Sequence, residues 1–406
     1  MINLHKILHK KIFSFIFIIL VWSMLILPSC LFSNFSYLDD PTTVHWAQSF
    51  LEKNYKLLLP DNVTGRYFPV YFLYYALVHS IAGANPLGYY FVNSIIGLLI
   101  LFLIYYITLK LTDSKLFAIL SVLVGISSPP VAENFYTISK SEPRLLFIIL
   151  IIYLLFISFI TRTRRKNIVT CILWVVISIL VIMAFYIKET AIFILIFPLS
   201  GFVLLHYFIR KNQYKDKKGV KEFYLLFIVC SSISILTGRI LYLYLRSPNS
   251  TSNYVDYTVT IHLIMNNFIF YTTQQPEVLF LGVISLILLL IIFILKRFEL
   301  KDNEIKYFII ACSLNLTGFG YLVILLIWKG ALGYYTLIPA IMFSITFSFA
   351  LNLYCKKICH KPVYVILLFL VLIKIYSLSY FVYIAYTQKL QDIVYNKAAT
   401  CKISSP

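Results

Sequence analysis

Two carboxylates stand side by side at Asp39 and Asp40, in a chain of 406 residues with only 16 acids. Adjacent carboxylates repel, so the pair needs solvent, a compensating cation or a functional setting. A second concentration of charge follows in ENFYTISKSEPR, which carries Glu133, Lys140, Glu142 and Arg144. A third is Lys188–Glu189 in FYIKETAIF, where two apolar runs meet with almost nothing between them. A tight turn there would be served as well by Gly, Asn or Ser. Arg66, Arg239 and Lys329 extend the set, and Tyr334 and Tyr335 follow Lys329 closely. Each charge alone is explained as well by a membrane interface, and Lys188–Glu189 as well by an ion pair across a turn. Five separate segments supplying them together point instead to a site. Its chemistry would be removal of a proton by a carboxylate, with cations stabilising a negatively charged substrate or leaving group.

The elements that must position these residues are membrane helices. Hydrophobic residues make up 61% of the chain and charged residues 13%, with a mean hydropathy of +0.87. A soluble domain is about half apolar and a quarter charged. Here the apolar residues fall in runs of about 20, the length that crosses a bilayer as a helix. Eleven spans are expected, at 11–28, 88–109, 116–131, 142–160, 168–186, 189–209, 222–243, 278–295, 307–327, 333–353 and 363–386. The fold class is therefore an all-α multi-pass transmembrane helical bundle.

With the N-terminus inside and residues at span ends counted with the adjoining segment, 22 Lys and Arg fall in inside segments and 11 in outside ones, leaving Arg239 and Lys374 within spans. The acids divide the other way, 6 inside and 10 outside. Basic residues mark cytoplasmic loops, and this parity has the bias that rule requires. The net charge of +19 is thus a topology signal, assisted by anionic lipid, and not a nucleic-acid footprint. All the charge concentrations named above then face the outside. The basic, apolar N-terminus reads as an uncleaved first helix, since its apolar stretch is long for a signal peptide.

Two outside segments are longer than turns. In the first, 29–87, an amphipathic interfacial helix is expected from Asp40-Pro41, with Val44, Ala47, Phe50 and Leu51 on one face. Residues 65–86, interrupted by Pro69, read as re-entrant or interfacial, because a crossing there would invert every later loop. The second, 246–277, reads as an external loop with a short helix. The 32 tyrosines are interface anchors or, in part, the lining of a carbohydrate groove. Cys355, Cys359 and His360 fall short of a four-ligand metal site, and the cysteine spacing implies no disulfides. One integral-membrane domain is expected over 1–386, followed by a short external tail at 387–406.

In this order the motifs resemble the GT-C-fold glycosyltransferases, the group that includes protein O-mannosyltransferases and the aminoarabinose transferases of lipid A. The likeness rests on LDD (38–40) after the first span, GRYFP (65–69), GANPLGYYFVN before the second span, ENFYTISKSEP (133–143) and KET (188–190). It implies transfer of a sugar from a polyprenyl-phosphate carrier to a glycan, lipid or protein acceptor on the outer face of a membrane, such as a bacterial plasma membrane. By that likeness Asp39 matches the catalytic acid of the first loop, the base of an inverting transfer. Asp40 matches the acid that follows it and would orient a basic neighbour or a metal.

Glu142, and with it Glu133, matches a second acidic position, and Lys188 a residue that holds the carrier phosphate, with Arg239 assisting. Lys329, Tyr334 and Tyr335 resemble a late external motif, and Arg66, Lys140, Arg144 and Glu189 complete the expected substrate-binding set. No certain cofactor is implied. Some members use a divalent metal and others do not, and Asp39, Asp40 and Glu142 could furnish its oxygen ligands. The chain lacks the WWDYG signature of oligosaccharyltransferases, and the large C-terminal external domain of many members is not expected beyond the short tail. The competing readings are a lipid-linked-sugar flippase or other transporter, and an O-antigen polymerase or ligase. The first should show broken helices and internal repeats, for which only Pro129-Pro130 and Pro198 offer breaks. The second should concentrate its basic residues in late loops.

Overall fold

The computed structural model describes residues 11–35, 40–53, 55, 68–160, 167–211, 217–245, 259–296, 299–328 and 331–358, with scattered positions between 374 and 391. Among the described residues there are fourteen α-helices and no strand. In order they are α1 (Lys11–Leu31), α2 (Asp40–Leu51), α3 (Pro69–Ala82), α4 (Pro86–Thr112), α5 (Lys115–Ile126), α6 (Pro129–Phe135) and α7 (Glu142–Ile160). They continue as α8 (Asn167–Ile187), α9 (Ile196–Arg210), α10 (Lys217–Leu245), α11 (Ile261–Gln274), α12 (Pro276–Lys296), α13 (Asp302–Leu326) and α14 (Leu337–Lys357). Two 3-10 turns, Glu189–Leu195 and Gly333–Thr336, lead into α9 and α14.

Proline opens α3, α4, α6 and α12, where its missing N–H would be unpaired in any case. Asn85 caps α4 by accepting from the Leu87 N–H at 3.1 Å, and Thr260 caps α11 by accepting from Leu263 at 3.2 Å.

Eight helical segments are long and apolar enough to cross a membrane, in α1, α4, α7, α9, α10, α12, α13 and α14. The span expected over 116–131 is not one rod. It is the pair α5 and α6, bent by 66°. Pro129 and Pro130 cannot donate helical hydrogen bonds and their rings crowd the preceding turn, so the first helix stops at Ile126. The expected span at 168–186 is α8, and the one at 363–386 lies almost entirely outside the described residues. The helix α3 has 14 residues, about 21 Å at 1.5 Å per residue, against about 30 Å of hydrocarbon. It packs on α2, α4 and α8.

The axis of the molecule is α14, buried from Leu337 to Leu353 among α12, α13, α5 and α4. Close approach is achieved by slotting Phe343 of α14 between Gly282 and Gly318, where a Cβ would come within 2.7 and 2.6 Å of its ring. Small residues at helix contacts allow this in membrane bundles, where dispersion rather than water expulsion drives packing. At the far end, Asn352 and Lys356 donate to the Thr112 carbonyl at 3.1 and 3.0 Å, satisfying the C-terminal turn of α4. Large apolar side chains such as Leu77, Val203, Phe280, Ile294 and Val323 are exposed around the outside, the surface a bilayer would cover. The chain is an integral multi-pass membrane protein.

Candidate functional site

The end of the bundle that carries the charges is organised around residues 136–140, between α6 and α7. An irregular segment in a dry interior must find partners for its backbone N–H and C=O groups. Side chains from four helices provide them. Asp40, at the start of α2 and fully buried, accepts from the N–H of Ile138 and of Ser139, each at 3.1 Å. Tyr90 of α4 has its hydroxyl 3.1 Å from the Tyr136 carbonyl and 3.5 Å from the second Asp40 oxygen. Asn93 donates to the Thr137 carbonyl at 3.4 Å. From α3, Tyr75 donates to the Ile138 carbonyl and Tyr71 to that of Ser139 at 2.7 Å.

Arg144 of α7 completes the ring. Its guanidinium donates to the carbonyls of Lys140 and of Ile138, the latter at 3.1 Å, and to Asn93 Oδ1 at 2.6 Å. It also lies 4.4 and 4.7 Å from the ring centres of Tyr74 and Tyr75. Every carbonyl from 136 to 140 therefore meets a side-chain donor. The small cluster of Val44, Ala47, Tyr75, Val78, Tyr89, Tyr90 and Ile138 packs the first-loop helices onto this segment.

These contacts add to two expectations. Asp40, expected to orient a cation or a metal, has its carboxylate on two backbone amides. Tyr71, Tyr75 and Tyr90 are neither interface anchors nor groove lining, because their hydroxyls satisfy carbonyls inside the protein.

Lys188 follows α8 directly, and its ammonium forms an ion pair with Glu142 at the start of α7. Both groups are buried, and the ammonium lies 4.0 Å from the centre of the Tyr335 ring. Such a pair in low dielectric needs close geometry to offset its desolvation, and the aromatic face adds to it. The next residue but one, Thr190, has its hydroxyl 3.1 Å from that of Tyr321 on α13, which ties this turn to the second half of the chain.

Glu133, near the end of α6, is exposed. Its carboxylate accepts from Gln275 Nε2 at 3.4 Å and from the backbone N–H of Tyr334, and Lys140 acts on it electrostatically. The Lys140 ammonium stands 4.3 Å from the centre of the Tyr334 ring, whose neighbour Tyr335 lies 4.5 Å away, centre to centre. Asn134 donates to the Tyr334 carbonyl at 2.8 Å, so two successive residues of α6 hold both backbone groups of Tyr334. Behind them Tyr271 of α11 accepts from the Leu332 N–H at 3.4 Å. Burial pushes its phenol up to about 12.

The fold thus brings Asp40, Glu133, Lys140, Glu142, Arg144, Lys188, Tyr334 and Tyr335 to one end of the bundle. Asp39, Arg66 and Lys329 lie outside the described residues, as do the side chains of Glu189 and Arg239. Asn93, Gln275 and the tyrosines Tyr71, Tyr75 and Tyr90 were not anticipated from the sequence. Only the spacing of Tyr71, Tyr74 and Tyr75, on one face of a helix, could have signalled some of them. Among the described residues no three His, Cys, Asp or Glu converge to hold a metal ion. The carboxylates of Asp40 and Glu142 each have a protein partner, and Asp39, the third oxygen donor considered above, lies outside the described residues.

No family model matches the sequence, and no curated protein matches it. Solved structures do match. The oligosaccharyltransferase of Archaeoglobus fulgidus, in a crystal structure with zinc and sulfate, superposes with a TM-score of 0.57 at 13% identity, covering 93% of this chain and 53% of that one. The structure of AglB from the same organism with an inhibitory peptide and a dolichol-phosphate gives 0.57 at 12% identity, over 93% and 56%. ArnT from Cupriavidus metallidurans, bound to undecaprenyl phosphate, gives 0.55 at 13% identity, over 93% and 76%. The chain spans about half the length of the archaeal structures. At these identities the likeness speaks to architecture alone, and the architecture resembles that of GT-C-fold membrane proteins.

Proposed function

We propose that this protein is a membrane glycosyltransferase that moves a sugar from a polyprenyl-phosphate carrier to a glycan, lipid or protein acceptor on the extracytoplasmic side. The observation that carries the reading is the meeting of carboxylates, ammonium groups and tyrosines from α6, α7, the turn after α8 and the turn before α14 at one end of a GT-C-fold bundle. The ligands named for the similar structures, dolichol-phosphate in AglB and undecaprenyl phosphate in ArnT, support a lipid-linked donor. Residues 1–386 act as one membrane-embedded domain in this reading, with lipid around it.

In the proposed reaction the acceptor hydroxyl oxygen attacks the anomeric carbon while Asp39 takes the hydroxyl proton. The bond from that carbon to the phosphate oxygen breaks, and its electron pair leaves with the carrier phosphate, so configuration inverts. Lys188 stabilises the departing phosphate, with Arg239 assisting. An ammonium has three N–H donors, and Glu142 takes one of those on Lys188. Asp40 and Arg144 hold the 136–140 segment so that Lys140 and Glu142 stay in place. No step is routed through a metal.

Incubating membranes with radiolabelled polyprenyl-phospho-sugars tests this directly. Label should pass to an endogenous glycan, lipid or protein in membranes holding the wild type and not in those holding Asp39→Asn. Equal transfer by both would remove Asp39 as the base, and no transfer of any such sugar would remove the reading itself.

A further inference from the structure

Gln275 is 3% exposed, yet its amide oxygen has no hydrogen-bond partner within the protein. The amide nitrogen donates to the Glu133 carboxylate. The reverse orientation would set oxygen against oxygen, so the oxygen is the atom left for another partner. Asn134 repeats the pattern one residue from Glu133. Its nitrogen donates to the carbonyls of Pro130 and Tyr334, and its oxygen is buried without a donor. Buried acceptors left unsatisfied are costly and rare, and each asks for an explanation. Here one of them belongs to the amide that meets an exposed carboxylate, and the other to the residue that follows Glu133 on the same helix. The segments of Glu133 and Gln275 are 142 residues apart in sequence.

The floor of this cluster is Gly333. A Cβ there would come within 2.6 Å of Gln275 Nε2 and 2.7 Å of the Glu133 carboxylate. The absence of a side chain is what lets the two polar groups meet over the backbone. The half-buried Tyr334 ring lies beside them, and Lys140, over that ring, acts on the Glu133 carboxylate electrostatically. A set of acceptors with a cation at its edge suits neutral O–H donors better than a second ammonium, which Lys140 would repel.

We infer that Glu133, Gln275 and Asn134, seated over Gly333, form a subsite for adjacent free hydroxyls of a neutral sugar ring. The hydroxyls donate to the Glu133 carboxylate and the Gln275 amide oxygen, and the Tyr334 ring lies alongside. This rests on the glycosyl-transfer reading and adds to it a substrate class, a neutral polyhydroxylated sugar in preference to an amino sugar. The sugar belongs either to the donor or to the acceptor glycan, and kinetics separates the two.

The test uses the full-length protein in nanodiscs as wild type, Gly333→Ala and Gln275→Leu. The atoms that a Cβ at 333 would strike are the far ends of two side chains, which can swing aside. The alanine variant therefore displaces the subsite without disrupting the fold, and an unchanged melting temperature verifies this. Both variants should raise KM about tenfold for one substrate, donor or acceptor, and change kcat less. The 2- and 3-deoxy analogues of that substrate should lose at least tenfold in kcat/KM with the wild type and little further with the variants, because a site built to bind a hydroxyl rejects the analogue lacking it. Unchanged KM for both substrates, or indifference of the wild type to deoxygenation, overturns the subsite while leaving glycosyl transfer standing.

If the wild type transfers no sugar at all, the parent reading fails, and a fluorescence titration with methyl mannopyranoside, methyl glucopyranoside and methyl glucosaminide decides the subsite alone. Neutral glycosides binding more tightly than the amine, and weakened by Gly333→Ala, support it. No binding, or tighter binding of the amine, overturns it.

Discussion

Asp40 and Asp39 are expected to fail in different ways when altered. The Asp40 carboxylate holds two buried amides, so Asp40→Ala strands both. At about 1–3 kcal/mol for each unsatisfied group, the melting temperature should fall markedly, with transfer falling alongside it. Asp39→Asn keeps size and most hydrogen-bonding capacity. It should lower the transfer rate by about 10² to 10⁴ with the melting temperature unchanged. Thermal unfolding in detergent, run beside label transfer, separates the two. The pair Lys188–Glu142 allows a similar dissection. Lys188→Met or Glu142→Leu alone leaves a buried charge unpaired, at a cost of about 3–5 kcal/mol, whereas the double variant should recover most of that stability. If Lys188 also meets the carrier phosphate, the stable double variant should still show a raised donor KM. A wild-type donor KM in the double variant would discard the phosphate role.

At the scale of elements, the irregular connection between α6 and α7 is held by side chains. Those of α2, α3, α4 and α7 meet its carbonyls and amides, and Arg144, like Asp40, meets two of them. Lysine at that position keeps the charge but loses the planar fork and its stacking on Tyr74 and Tyr75. Arg144→Lys should therefore speed hydrogen exchange of the Ile138 and Ser139 amides and lower kcat, with donor KM little affected. Exchange at wild-type rates would show that Asp40 and the tyrosines hold the segment without it. The bend between α5 and α6 serves the same end, because it turns Glu133 and Asn134 toward the backbone of Tyr334.

For the whole molecule the basic-residue bias predicts an inside N-terminus and charged groups gathered on the outer face. Cysteines introduced at positions 62, 213 and 400 should be accessible from the outside, the inside and the outside, respectively. An inside position 62 would invert the topology and remove the extracytoplasmic site. The same parity requires that α3 does not cross the bilayer, in keeping with its length. A cysteine at exposed Leu77 should accordingly react with a membrane-surface label, or quench as a shallow probe, and not as one at the midplane.

Sequence alone determined what is local or additive along the chain. Length and hydropathy of the runs placed the membrane helices, since crossing the hydrocarbon core is a one-dimensional requirement. Charge asymmetry gave their expected parity, and Asp40-Pro41 marked the start of α2. The Ser-Pro-Pro stretch held the bend at 127–130, although the apolar run across it reads as a single span. Pairing was beyond reach. Nothing in the order of residues says that Lys188 meets Glu142 and Tyr335 while following its own turn, or that Glu133 meets Gln275 over Gly333. Those partners are 46, 147, 142 and 200 residues apart, and only the packing of α7, α8, α11 and α14 brings them together. The tyrosines make the same point. From composition they suit a membrane interface, yet the fold aims the hydroxyls of three of them at backbone carbonyls, and that demand exists only once the tertiary structure has formed.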